Sequence, residues 1–155
     1  MKIIVEKILG KASHADLSGL TIDRVFFDHE TLRKGHQRTV SVSGREVFIS
    51  LDHGDDLYTD ALLYRDNAIA IIADMYEEEV IEFMPLGNKE WAEVAYGIGN
   101  MHMPAYLYEH RIMTPYNESA ERLAGKLKVK WKRCKGKLDG IRADGMHPHN
   151  HGESL

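Results

Sequence analysis

The spacing of apolar residues changes near residue 75, and this change divides the chain into two kinds of structure. Before that point apolar and polar residues alternate in short runs that are bounded by turn residues, a pattern typical of β-strands. The clearest case is residues 38–51, where two alternating runs flank Ser43-Gly44 as in a β-hairpin. We therefore predict an N-terminal antiparallel β module over residues 1–74.

The second half of the chain mixes strand patterns with two helical ones. In the first helix apolar residues recur three and four positions apart; they are Trp91, Val94, Ala95 and Ile98. Asn88 is predicted to cap this helix and Asn117 a second one, because asparagine readily accepts from helix amides. The order is strand, helix, strand, strand, helix, strand, which indicates a ferredoxin-like βαββαβ arrangement. We predict an α+β fold with this ferredoxin-like domain over residues 75–139.

His102 is a candidate metal ligand that follows the first helix. On an ideal helix it lies under Trp91, at the end of the apolar stripe, and Pro104 prevents the helix from continuing. From this geometry a partly buried histidine at a helix end is the more ordinary interpretation. A metal site needs further ligands, and the helix offers no second histidine three or four residues away.

Further ligands could come from the C-terminal segment. Residues 140–155 contain three glycines, one proline and little to bury, so we predict a flexible histidine-containing tail. Its three histidines are spaced by two, so an extended segment would project all of them to one side; they are His147, His149 and His151. Histidine-rich tracts are typical of metal-binding segments for nickel, copper or zinc, and an idle polar tail is the alternative.

Composition excludes several classes of protein. The chain has 155 residues, of which 43% are hydrophobic and 28% charged, as expected for a globular protein. Its single cysteine excludes an internal disulfide framework and a zinc site made of thiolates alone. No apolar run approaches the roughly 18 residues of a membrane span, and no export signal is visible. We therefore expect a cytoplasmic protein that does not bind membranes.

Nucleic-acid binding and enzyme activity are also not indicated. The net charge is -4, and the basic run at residues 126–137 is more typical of a solvated edge strand than of a nucleic-acid site. No phosphate loop, HExxH or GxSxG motif occurs in the sequence. We expect a protein that is not an enzyme.

The motif GNMHMP at residues 99–104, preceded by EVAYGI at 93–98, resembles the urease accessory proteins of the UreE type. The likeness extends to the opening strand at residues 3–10, the hairpin at 38–51 and the start of the last helix at 114–116. Members of that family are nickel chaperones with a β module followed by a ferredoxin-like metal-binding domain. This chain departs from the family pattern where arginine is usual at Met101.

The resemblance implies a homodimer in which the His102 residues of two copies face each other and hold nickel(II). It implies that tail histidines complete the metal site, and that zinc or copper(II) are alternative ions in vitro. It also implies partners, namely the urease apoprotein and its accessory proteins, including the accessory GTPase. The leading hypothesis is therefore a nickel metallochaperone that delivers Ni(II) to apo-urease. The alternative is a protein- or peptide-binding module in which metal binding is incidental.

Overall fold

The computed structural model describes residues 2–143 of the chain. This part is a mixed α/β structure with two α-helices and eleven β-strands. It divides into two compact units, of which one extends to Tyr76 and the other begins at Glu77. The first unit contains two three-stranded sheets, and the second contains one five-stranded sheet.

The first unit is built from six strands and two short 3-10 turns. The strands are β1 (Lys2–Val5), β2 (Thr21–Phe27), β3 (His36–Val40), β4 (Glu46–Ser50), β5 (Leu62–Arg65) and β6 (Ile69–Met75). The 3-10 turns are Ala12–His14 and Thr31–Arg33. The strand orders are β1-β4-β3 and β2-β6-β5. The predicted hairpin at 38–51 is confirmed, since β3 and β4 pair antiparallel.

The prediction of an antiparallel module is wrong for two strand pairs. β1 pairs parallel with β4, and β2 pairs parallel with β6. The alternation of apolar residues identifies which side of a strand is buried, and it is the same for parallel and antiparallel neighbours. The inward residues are accordingly buried whatever the strand direction; they include Ile3, Val5, Val25, Val47 and Ile49.

A buried carboxylate ties β2 to the turn between β3 and β4. Asp23 is 2% exposed and accepts from Arg45 Nη1 at 2.7 Å and from the Ser43 amide at 3.1 Å. Burial alone would raise the pKa of Asp23, but these hydrogen bonds and one from Ser41 outweigh it and lower the pKa to about 2. The side chain is therefore a fixed negative charge that holds the turn in place.

We predict that Asp23→Asn lowers the free energy of unfolding by about 3 kcal/mol at pH 7, because it leaves the half-buried Arg45 without its charged partner. Since the pKa of Asp23 is lowered from 3.8, its contribution is present above about pH 4 and is lost as the pH falls toward 2. Urea unfolding followed by circular dichroism at pH 7 and pH 2.5 measures both effects.

The matched control for this experiment is Asp16→Asn, an exposed carboxylate that accepts hydrogen bonds from Ser18. We expect a change of less than about 0.5 kcal/mol in that variant. The proposed role of the charge would be contradicted if the free energy of unfolding of the wild type exceeded that of Asp23→Asn by the same amount at both pH values.

The second unit is built from five strands and both helices. In chain order they are β7 (Glu78–Met84), α1 (Gly87–Asn100), β8 (Tyr106–Leu107), β9 (Ile112–Pro115), α2 (Glu118–Lys126), β10 (Lys130–Gly136) and β11 (Ile141–Arg142). The strands form one sheet in the order β10-β7-β9-β8-β11, and every neighbouring pair is antiparallel.

Both helices pack against this sheet. Their buried residues join those of the sheet in one apolar cluster, which includes Ile81, Phe83, Val94, Ile98, Ile112, Ala120 and Ala124. Gly97 permits the close approach of α1 to α2, because a Cβ atom there would lie 2.9 Å from Leu123 Cδ1. Neither helix of residues 2–143 has the length and apolar character needed to cross a membrane. This packing fixes the position of the C-terminal end of α1, and so also the position of the segment that follows it.

The two helices begin differently. Asn117 Oδ1 accepts from a backbone amide of α2 at 2.7 Å, which confirms the predicted cap. The predicted cap at Asn88 is wrong, because α1 already begins at Gly87 and makes no side-chain cap of that kind. Instead the carboxylate of Glu90 accepts from the amide of Leu86 at 2.9 Å. The Glu90 carboxylate thus supplies a hydrogen-bond acceptor for the backbone amide at the start of α1.

The prediction of a flexible tail from residue 140 is wrong for its first residues. Ile141 and Arg142 form β11, which pairs antiparallel with β8. A strand of two residues has no periodicity that a sequence pattern could display. The rest of the predicted tail lies outside the described residues; it includes His147, His149 and His151.

Candidate metal centre

Helix α1 ends in a Schellman motif whose left-handed residue is His102. The amide of His102 donates to the carbonyl of Gly99 at 3.0 Å, and the amide of Met103 donates to that of Ile98 at 3.3 Å. These are the two hydrogen bonds that define the motif. His102 has a φ of 57°, in the region where glycine or asparagine is usual and a Cβ atom is crowded.

The turn presents the imidazole of His102 to solvent while its neighbours are held by packing. His102 is exposed, whereas Met101 and Met103 pack against the apolar cluster of the second unit. Ile98 and Met103 are the apolar pair that commonly accompanies this motif, and Pro104 prevents continuation of the helix. The backbone of His102 is therefore fixed from both sides, and its side chain is available for binding.

This geometry corrects the interpretation drawn from an ideal helix. Since α1 ends at Asn100, His102 does not continue the apolar stripe that contains Trp91. It is exposed, so the interpretation as a partly buried helix-end histidine is wrong. A non-glycine residue held at a left-handed φ on the surface stores strain, and such strain is concentrated at functional sites.

A signal for this turn was present in the sequence. An apolar residue at position 98, another at 103 and a proline at 104 are typical of a Schellman ending. The residue that normally makes the ending recognisable is a glycine at the left-handed position, and histidine stands there instead. The unexpected residue is thus the functional candidate itself.

No three His, Cys, Asp or Glu side chains form a group that could hold a metal ion within residues 2–143. His102 is therefore a single candidate imidazole in the described part of one chain. The other predicted ligands lie beyond residue 143, and their participation stays a prediction; they are His147, His149 and His151.

The five remaining histidines of the described residues lie in turns or at the ends of short elements. They are His14, His29, His36, His53 and His110. His110 is at the tip of the connection between β8 and β9, where its side chain is 87% exposed and its Nε2 lies 3.6 Å from Glu109 Oε1. It is a useful contrast to His102, because it belongs to the same unit and has a similarly open setting.

The basic run at residues 126–137 lies largely in β10, an edge strand of its sheet. Arg133 Nη2 lies 2.6 Å from a carboxylate oxygen of Glu79, and Lys132 Nζ lies 3.5 Å from one of Glu82. Both acids belong to the neighbouring strand β7. The pairing of these basic residues with β7 supports the interpretation as a solvated edge strand.

Comparison with known proteins identifies the family. The family model described as "UreE urease accessory protein, N-terminal domain" matches residues 5–73. The chain is also 31% identical to the urease accessory protein UreE of Geobacillus kaustophilus (strain HTA426) over 136 residues, which are 88% of this chain and 92% of that protein. The chain belongs to the UreE family of urease accessory proteins.

Further UreE relatives extend the likeness over nearly the whole sequence. The UreE protein of Bacillus sp. (strain TB-90) is 27% identical over 88% of this chain and 92% of its own length. That of Staphylococcus carnosus (strain TM300) is 26% identical over 96% of this chain and 100% of its own length. Membership in the UreE family means that the protein is an accessory chaperone of urease maturation with a metallochaperone role, and not an enzyme.

We predict that His102→Gly raises the free energy of unfolding by about 1 kcal/mol, because glycine adopts the left-handed φ without the crowding of a Cβ atom. His102→Ala is the matched control, since it removes the imidazole but retains the strain, and we expect it to leave stability nearly unchanged. Urea unfolding in the presence of a chelator measures both. Equal destabilisation in the two variants would show that the imidazole itself stabilises the turn.

Proposed function

We propose that this protein is a cytoplasmic, homodimeric nickel metallochaperone that delivers Ni(II) to apo-urease during assembly of the urease active site. The observation that carries the proposal is His102, an exposed imidazole held at a left-handed φ inside the motif through which the chain resembles its family. Imidazole nitrogen is a good ligand for nickel, copper and zinc. The proposed partners are the urease apoprotein and its accessory proteins, including the accessory GTPase.

A two-fold axis would bring the His102 imidazoles of two chains together. In an isologous dimer a residue close to the axis meets its own copy, so one histidine per chain becomes two convergent ligands. Tyr96 belongs to α1 and lies six residues before His102, and it is 73% exposed. A large exposed aromatic residue near this helix end gives a second copy an apolar group to cover, as is typical of interface anchors.

The remaining coordination positions are assigned to the C-terminal histidines and to water. Two imidazoles leave a four- to six-coordinate ion incompletely filled, so ligands that exchange complete its shell and allow the ion to leave; the protein candidates are His147, His149 and His151. A catalytic zinc site differs, because it has three fixed protein ligands and one open position. Since copper(II) binds such ligands more tightly than nickel, selection of nickel must come from geometry and from the recipient protein.

The second unit is assigned to the ferredoxin-like class. Its order from β7 to β10 is strand, helix, strand, strand, helix, strand, and the first four positions of the sheet are β10-β7-β9-β8. Antiparallel pairing throughout and two helices packed on the sheet support this assignment. His102 then lies in the first helix-to-strand connection of the fold.

We predict that His102→Ala weakens nickel binding by more than about 100-fold, because losing even a group that only orients a ligand costs about 10–100-fold. The wild type should bind one nickel ion per two chains at its tightest site. Isothermal titration with nickel measures affinity and stoichiometry, and sedimentation confirms that the variant keeps its assembly state.

The control for this titration is His110→Ala, which removes an exposed histidine of the same unit. We expect wild-type affinity in that variant. Unchanged affinity and stoichiometry in His102→Ala would refute the central role of His102 and with it the proposed metal centre.

A second candidate function, the docking of a protein partner by the first unit, is favoured by the outer face of the β1-β4-β3 sheet. Ile4 is 60% and Val40 is 56% exposed on this face. Phe48 lies on the same face, with the cations of Lys2 and Arg38 over its ring. Apolar residues rimmed by charges are typical of protein-binding surfaces. Retention of the chelator-treated protein on an immobilised urease complex, and its loss in Ile4→Lys, would support this candidate.

A further inference from the structure

Strand β10 lies at the edge of the five-stranded sheet, and its outer side is open. Within residues 2–143 it pairs with β7 alone, in a register that runs from Lys130 opposite Met84 to Gly136 opposite Glu78. An edge strand leaves a row of backbone amides and carbonyls without partners in the sheet. The seven residues of β10 therefore offer about 23 Å of backbone to which a further strand can pair.

The side chains along this edge are strongly basic. Residues 126–137 contain seven lysines and arginines and no acid. Lys132 and Arg133 form ion pairs with acids of β7 and α2. Four exposed lysines form no ion pair within the described part of the chain; they are Lys126, Lys128, Lys130 and Lys135. We call these four lysines and the open side of β10 the basic edge.

The positive charge of the basic edge lies on both faces of the sheet. Successive residues of a strand point to opposite faces, so Lys130 lies on one face and Lys135 on the other. A strand that paired with β10 would therefore meet a lysine without an ion pair on each side of its backbone.

These charges disfavour a second copy of the same edge and favour an acidic strand. If β10 paired with β10 of another chain, lysines would lie close to lysines, and like charges opposite each other in neighbouring strands destabilise the pairing. Acidic side chains would form opposite-charge pairs at the same positions. The lysines thus discriminate between strands that could pair with the open edge.

A nucleic acid is the other polyanion that a basic surface can attract, and the structure favours it less. Proteins that bind single-stranded nucleic acid combine positive charge with aromatic side chains on which bases stack. Trp131 is the one aromatic residue among residues 126–137, and it is half-buried against the apolar cluster of the second unit. Phosphate oxygens also only accept hydrogen bonds, so they would leave the carbonyls of the edge without donors. A polypeptide strand supplies both donors and acceptors.

We propose that the basic edge is a docking site for an acidic, extended segment of a partner protein, which adds to the sheet as a sixth strand. Main-chain hydrogen bonds to β10 provide affinity, and Lys130 and Lys135 select acidic side chains. The inference goes beyond the proposed nickel function, because the basic edge contains no residue of the candidate metal centre.

The first test titrates synthetic strands into the full chain. The probe is an end-capped peptide of about eight residues, close to the length of β10, in which glutamate and threonine alternate. We expect it to bind, with amide chemical-shift changes centred on residues 128–137. A peptide with lysine in place of glutamate should not bind. A third peptide keeps the glutamates but carries a methyl group on every backbone nitrogen, and it should bind at least about tenfold more weakly because it cannot pair as a strand.

The second test reverses the charge of the basic edge. The double variant Lys130→Glu with Lys135→Glu should bind the acidic peptide at least about tenfold more weakly, because two attractive contacts become repulsive. The control is Lys7→Glu with Lys89→Glu, which changes the net charge equally at exposed positions outside the basic edge. Its peptide affinity should stay within about twofold of the wild type. Nickel affinity should be unchanged in both variants, which separates this result from that of the proposed metal centre.

Equal binding of the methylated peptide would overturn the proposal, as would shift changes centred outside residues 128–137. Binding of a single-stranded oligothymidylate that is tighter than that of the acidic peptide, through the same residues, would overturn it in favour of nucleic acid. Self-association of the chain that is lost in the Lys130→Glu/Lys135→Glu variant would overturn it in favour of a second copy. If that variant does not fold, the comparison of the three peptides on the wild type decides the matter.

Discussion

The burial of Ile98 and the packing of Met103 at the end of α1 are the interactions on which the candidate site depends. Ile98 is fully buried, and its carbonyl accepts from the amide of Met103, which closes the turn between them. His102 must then adopt a φ of 57°. The strain costs about 1–2 kcal/mol, and the burial of a large apolar side chain contributes about 1.5–3 kcal/mol. Packing therefore outweighs the strain and holds an exposed imidazole in a fixed position.

One edge of the second sheet brings together two parts of the chain that are far apart in sequence. β8 begins directly after the turn that carries His102, and β11 pairs with β8. The first relationship is local, because a helix end and the next strand are joined by five residues. The second depends on Tyr108, whose hydroxyl bonds residues about 30 positions later. Strand β8 thus follows the turn of His102 in sequence and pairs with the last described strand, β11.

The sequence predicted those features whose physical signal is local. The hairpin at 38–51, the apolar face of α1 and the cap at Asn117 each follow from residues within a few positions of one another. The parallel direction of β1 and β2 was not predictable, because alternation reports burial and not the direction of a neighbour. β11 was missed because it is fixed by Tyr108 and Ala105, and not by any pattern of its own. The turn at His102 had a local signal in Ile98, Met103 and Pro104, but the glycine that usually marks its left-handed position is absent.

A metal site from which an ion is transferred has to bind the ion and also release it. His102 is already ordered by packing, so binding through its imidazole loses little further entropy. A ligand on a segment that must become ordered on binding loses about 1–2 kcal/mol per residue fixed, and regains it on release. In the proposed function, one fixed ligand per chain would define where the ion binds, and ligands that become ordered on binding would determine how readily it leaves. In the same proposal, a recipient whose ligands are already rigid would lose less entropy on binding the ion, and this difference would favour transfer to it.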